Sequence, residues 1–201
     1  MGRLDENIGS VGFDNLINQN GPAAMGGHIK LAANQGKILR GSVIAMTAAG
    51  GDGILLGSDK TVAATLAVET LVSTYANANL VTSTLKVYAA GSATPATITT
   101  DYTIGYANGT LTITLEAAGG LKDETSIDIE CDITVAAMAK AKYILAEDAD
   151  TGTSTAVVAT AYKTGYFNGN QLIIATGYTM TAANEEELRA LGIFLADAYE
   201  I

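Results

Sequence analysis

Charge is scarce in this sequence. Asp, Glu, Lys and Arg make up 16% of its 201 residues, against about 25% in an average soluble chain. There is one Cys, one His and no Trp, and Pro occurs twice. A single Cys excludes an intrachain disulfide framework. One Cys and one His cannot supply the four ligands of a structural zinc site. No apolar run approaches the 18 residues that a membrane-crossing helix needs, and the N-terminal stretch MGRLDENIGS lacks the apolar core of a secretory signal and the hydroxyl residue of a myristoylation motif. Cytosolic synthesis is expected. Coiled-coil, collagen-like and highly charged disordered chains are excluded by composition as well.

What is present is small and β-branched. Ala, Thr and Gly number 34, 25 and 22, and 48% of residues are hydrophobic. The net charge is −10, which argues against nucleic acid and against anionic membranes as partners. Charge is unevenly spread: 1–50 sum to +1, 51–137 to −7 and 138–201 to −4. The length suits one domain, or one domain with a small second one.

Residues 1–27 hold six Gly, several Asn and Pro22. Leu4, Ile8, Val11, Phe13, Leu16 and Ile17 are apolar without sustained periodicity. Two readings stand for this segment: a frayed terminus, or an arm that orders on a partner with those residues as anchors. From Lys37 to Met46 a strand is expected, and GGDG at 50–53 reads as a turn or domain boundary.

The segment 51–137 is rich in Thr and acids. DYTIGYANGTLTITL predicts a hairpin, because Asn108-Gly109 supplies the two positive φ angles of a type I′ turn between alternating strands. In SIDIECDITV, Ile127, Ile129, Cys131, Ile133 and Val135 share one face and Asp128, Glu130 and Asp132 the other, the signature of a half-buried strand. Residues 84–90 alternate too, and 61–75 read as strand by their surroundings though a helix also fits. About five strands in this stretch suggest a small β-sandwich. After it, KYILAED, STAVVATAYKTGYF and QLIIAT read as strands. A helix follows, capped at Thr181 or at Asn184 with Glu187, bearing Leu188 and Leu191 on its apolar stripe and ending at Gly192. GIFLADAYEI closes the chain as a strand.

Candidate chemistry is thin. His28 has no marked nucleophile partner. Cys131, on an apolar strand face, reads as a buried small hydrophobe. Asp148-Ala149-Asp150-Thr151-Gly152 begins like a calcium loop. However, Gly152 stands where a third ligand is needed and Ala159 where the terminal Glu belongs, so a solvated turn is expected. No phosphate-binding glycine motif occurs, and the sequence suggests no catalytic residue, cofactor or metal. A structural or binding protein remains.

The succession AKYILAEDADTGT, TAYKTGYFNGNQL, a capped helix and LRALGIFLADAYE resembles the lambda-type head decoration (capsid-stabilising) proteins of tailed bacteriophages. The residues that carry the resemblance are the Ile-Leu-Ala-Glu-Asp run, Gly165-Tyr166-Phe167, Gly192-Ile193-Phe194 and, upstream, GKILRGSVIAM. They span roughly 35–49 and 138–201. Tyr143 stands where the family commonly has Gly, and 50–137 replace a short connection.

The resemblance implies a mainly β protein. Its parts would be an extended arm at 1–27, a small β-barrel or β-sandwich-like core with one short helix from 28–50 and 138–201, and an inserted Ig-like β-sandwich domain at 51–137. The implied function is capsid cementing without catalysis. Homotrimers would sit on the major capsid protein, at three-fold and quasi-three-fold positions of the virion's outer surface, with the arm on the shell and the inserted domain outward. A host-surface glycan is a possible ligand of 51–137. An adhesin built on that segment, or a tail-tube protein, are the alternatives.

Overall fold

The computed structural model describes residues 15–18, 21–46 and 51–196. It is mainly β, with one α-helix. The chain divides into two compact units. The first comprises 1–56, 140–175 and 179–201, and the second 57–139 with 176–178.

The first unit opens with β1 (Met25–Leu31), β2 (Lys37–Ile38), β3 (Val43–Met46) and β4 (Gly53–Leu55). The strand expected from Lys37 to Met46 is therefore broken. A turn at 39–42 divides it, with Gly41 at φ +86°, a left-handed conformation that a continuous strand cannot contain. The first strand also begins at Met25, inside the segment read as an arm.

The second unit holds β5 (Thr61–Ala67), β6 (Val72–Ala76), β7 (Lys86–Ala89), β8 (Tyr102–Ala107), β9 (Thr110–Leu115) and β10 (Ser126–Asp132). Two antiparallel sheets result, ordered β5-β10-β7 and β6-β9-β8. The β8–β9 connection is the expected hairpin, with Asn108 at φ 52° and Gly109 at φ 74°. The other connections pass from one sheet to the other. Alternation decides the packing: Ile127, Ile129 and Cys131 of one sheet and Leu111, Ile113 and Leu115 of the other belong to one buried core, joined by Tyr102 and Val87. Ile133 is only half-buried and Val135 is 68% exposed, because the chain leaves the sheet after Asp132. The first and last strands pair along their full length, Thr61 opposite Asp132 and Ala67 opposite Ser126. The unit therefore begins and ends at one place, as an insertion into another fold requires.

The first unit resumes with β11 (Lys140–Leu145), β12 (Ala149–Asp150), β13 (Val157–Asn168), α1 (Ala182–Ala190) and β14 (Ile193–Ala196). Pairing runs β1-β4-β3-β11-β13 and returns from β13 to β1, which closes a five-stranded barrel. The closing contact is short. Leu31 pairs with Gly53, and the Ala32 N–H donates to the Gly53 carbonyl at 2.9 Å. A Cβ at Gly53 would lie 2.6 Å from Ile44 Cγ2, so only glycine lets the barrel close here. Ile29, Leu31, Ile38, Ile44, Leu145 and Ala161 fill the core. QLIIAT is not a strand; its one ladder contact is Ile173 beside Ser42.

Candidate functional site

The N-terminal segment meets the rest of the first unit at the far end of β13. This strand is 12 residues long, enough to serve two sets of neighbours. Residues 157–164 pair with β1. Residues 165–168 pair in parallel with β14, Gly165 opposite Ile193 and Tyr166 opposite Phe194. On this same stretch Ile17 lies antiparallel to Phe167. The Asn18 N–H donates to the Tyr166 carbonyl at 2.8 Å, and the Asn168 N–H to the Leu16 carbonyl at 2.9 Å. Residues 16–18 thus add a short strand to β13 by main-chain hydrogen bonds, the mode by which extended peptides join sheets.

Local chemistry sets this arrangement. Gly165 has φ +144°, and a Cβ there would lie 2.8 Å from Phe167 Cε2 and 2.9 Å from Ala24 Cα. Phe167 is fully buried, its ring tilted against Tyr162 with centroids 5.3 Å apart. Asn168 is 4% exposed, and its Oδ1 accepts from the Asn170 N–H at 3.1 Å. The helix α1 delivers β14. Its capping box joins Thr181 and Asn184: the Asn184 N–H donates to Thr181 Oγ1, and the Thr181 N–H to Asn184 Oδ1. Asn184 therefore reaches back to Thr181 instead of capping with Glu187. The Glu187 carboxylate accepts from the Ala141 N–H of β11 at 2.9 Å. Leu188 is fully buried, whereas Leu191 is 41% exposed, because the helix ends at Ala190 and Leu191 is its C-cap.

Of the six expected arm anchors, Leu4, Ile8, Val11 and Phe13 lie outside the described residues. Leu16 is 4% exposed, packed within its own unit. Ile17 is half-buried in the added strand. Sequence reasoning missed the exposed apolar groups Met25 (66%), Phe194 (38%) and Leu191. Register pairs Phe194 with half-buried Tyr166. The alternation of Ile193 and Phe194 carried that signal, since Ile193 takes the interior.

The titratable groups are dispersed. His28 is exposed on β1. Lys37 bridges Asp148 at 2.8 Å, and the Arg40 N–H donates to Asp148 at 2.9 Å. The Lys37 hydrogen bond, then the Arg40 N–H, hold that carboxyl below its usual range. Asp150 accepts from the Gly152 N–H, and Glu147 from the Thr160 N–H. The acidic run is thus spent on turn formation and on the β2–β12 pair. Among the described residues no group of three or more His, Cys, Asp or Glu is placed to hold a metal. Cys131 is 1% exposed, and burial pushes its thiol up.

The second unit shows two unlike outer faces. On β5-β10-β7, Thr61 donates to Asp132 at 2.6 Å, Thr65 to Asp128, and the Tyr88 hydroxyl to Glu130 at 2.9 Å. A polar cleft of about 440 Å³ lies here, lined in part by Lys60, Thr84, Lys86 and Glu130. On β6-β9-β8, register places Val72, Thr114 and Thr103 in one row, Thr74, Thr112 and Gly105 in the next, and Ala76, Thr110 and Ala107 in the third. No charged residue stands in these rows. Among the described residues the five Thr hydroxyls have no hydrogen-bond partner.

Comparison with family models, curated proteins and solved structures finds no match to this chain.

Proposed function

We propose that the chain is a capsid decoration protein of a tailed bacteriophage, a cement bound as trimers to the major capsid protein on the outside of the head. The observation that carries the proposal is a juxtaposition. Gly165-Tyr166-Phe167 and Gly192-Ile193-Phe194, the two motifs behind the family resemblance, lie on parallel neighbouring strands, offset by one residue so that Gly165 faces Ile193 and Tyr166 faces Phe194. The root of the N-terminal segment adds to the same stretch of β13. A closed barrel with one tethered segment is a scaffold from which a short apolar arm can reach a shell. Many copies, each weakly held, would stabilise the shell through multivalency. Within this proposal the second unit is an immunoglobulin-like insertion; two sheets of three strands around one core, with paired ends, support that reading.

The test is quantitative mass spectrometry of purified particles of the phage that encodes the chain. Copies near those of the major capsid protein are expected. A handful of copies per particle, or none, overturns the proposal.

A second reading is favoured by one observation, the uncharged threonine face of β6-β9-β8. In this reading the second unit holds a neutral host-surface glycan. Lysine in place of Thr112 is then expected to abolish retention of the displayed chain on dextran or mannan resin. Retention unchanged by that variant, or absent from the outset, removes this reading and leaves the first untouched.

A further inference from the structure

We infer that Asn108 is a site of spontaneous deamidation, and that the fold selects it over Asn168-Gly169, whose asparagine is buried. In this chemistry the deprotonated main-chain nitrogen of the following residue attacks Cγ of the asparagine side chain. The new N–Cγ bond closes a five-membered succinimide. The Cγ–Nδ2 bond breaks and ammonia leaves. Water then adds to either ring carbonyl, giving aspartate or its β-linked isomer. The balance is amide plus water to acid plus ammonia, with no catalyst or oxidant.

Three conditions favour the step: a following glycine with no side chain to shield its nitrogen, a solvent-exposed amide, and a backbone free to rotate. Asn108 meets the first two, and the loop that holds it is two residues long, closed by the ladder pair Ala107 and Thr110. Asn108 is exposed at the tip of the β8–β9 hairpin, outside the ladder. Neither its side chain nor the Gly109 N–H makes a hydrogen bond among the described residues. Beyond that ladder pair, the Asn77 N–H donates to the Gly109 carbonyl at 2.8 Å, on the far side of the reacting nitrogen. Asn168-Gly169 has the same sequence and the opposite setting. Asn168 is 4% exposed, its Oδ1 accepts from the Asn170 N–H, and its own N–H donates to Leu16. Reaction there must wait for the end of β13 to open.

The two products differ in consequence. Aspartate keeps the turn, since Asp-Gly also suits type I′. The β-linked isomer inserts a methylene into the main chain between Ala107 and Thr110, which face each other as the last ladder pair.

The full chain is incubated at mildly alkaline pH and physiological temperature, folded and in denaturant, and mapped by tryptic digestion and fragmentation mass spectrometry. The peptide 87–122 contains Asn108 and no other Asn or Gln, so its conversion is read without ambiguity. An Asn108→Asp chain supplies the standard that separates the two acids. Loss of amide at Asn108 in the folded chain is expected to outpace that at Asn168 by about tenfold or more, and the two rates should converge in denaturant. Comparable folded-state rates at the two sites overturn the inference. So does an Asn108 that reacts only in denaturant.

Discussion

At the scale of single residues, the far end of β13 depends on an absent side chain and a buried one. Gly165→Ala places a Cβ against Phe167 and against the Ala24 backbone at a φ of +144°, where neither neighbour is the loose end of a flexible side chain. The expected loss is about 2 kcal/mol, read by denaturant unfolding. Leu16→Ala is expected to cost about 2–4 kcal/mol in the isolated chain, as core truncations do. A residue serving only as an anchor on another protein would cost nothing in that measurement, so stability unchanged by Leu16→Ala would contradict the burial. The role of Leu16 was not legible beforehand. In an aperiodic segment, hydrophobicity alone does not say whether a residue packs on its own fold or on another. Cys131 was legible, because period-two alternation over SIDIECD assigns each residue to a face. Its thiol is expected to resist alkylation at pH 8 until denaturant is added, since burial both shields it and raises its pKa.

At the scale of elements, local signals held where turn or cap chemistry was explicit. Asn108-Gly109 determined a hairpin and its register. Thr181 determined a helix start, although its partner proved to be Asn184, three residues on. The signals failed where hydrophobicity ran through a turn. Lys37–Met46 reads as one strand, but Gly41 in the left-handed region divides it. QLIIAT is apolar enough for a strand, yet it offers the barrel a single bridge. Thr181→Ala removes one orphan-donor partner and the capping box, and about 1 kcal/mol of stability is expected to go with it. In the second unit, Asp101 ties two loops. It accepts from the Thr97 N–H at 2.7 Å and from the Gly120 N–H at 2.8 Å. These backbone bonds, Thr97 first, hold its carboxyl below the usual range. The folded state then binds fewer protons than the unfolded state as pH falls. The stabilisation is complete above the ordinary carboxylate pKa and is lost as pH drops through the lower folded value. Melting temperatures from neutral pH downward should therefore show Asp101→Asn below the parent at pH 7, with the gap closing in acid. A gap constant with pH would remove Asp101 from the acid response.

At the scale of the whole molecule, composition changes near residue 51 but the second unit begins at 57, because β4 pairs in the first, and pairing shows why the chain can carry a second unit. Both β4 and β11 are antiparallel to β3 and lie on its two sides, so they are parallel to each other with one strand between. Parallel strands cannot be joined by a tight turn; the chain must cross over. The span to cross is modest. Two interstrand steps and about three residues of return along the strand amount to roughly 14 Å. A bare linker of about eight residues suffices for that, and the structure spends 57–139 on it instead. This was beyond the sequence. The pairing of β3 with β4 and β11 is non-local and leaves no periodicity, and the barrel closes through one contact at Gly53. The crossover geometry makes the second unit dispensable for the barrel's own core, since Ile29, Leu31, Ile38, Ile44, Leu145 and Ala161 all lie outside it. Replacing 57–139 with a Gly/Ser linker of about eight residues is expected to leave a cooperatively unfolding protein that still protects the β1, β11 and β13 amides from hydrogen exchange. If the shortened chain loses that protection, the barrel depends on the second unit. If it keeps protection and still binds the particle, the attachment function resides in the barrel and its N-terminal segment. A chain that keeps protection but loses the particle would place attachment in 57–139 and overturn the arm-centred proposal.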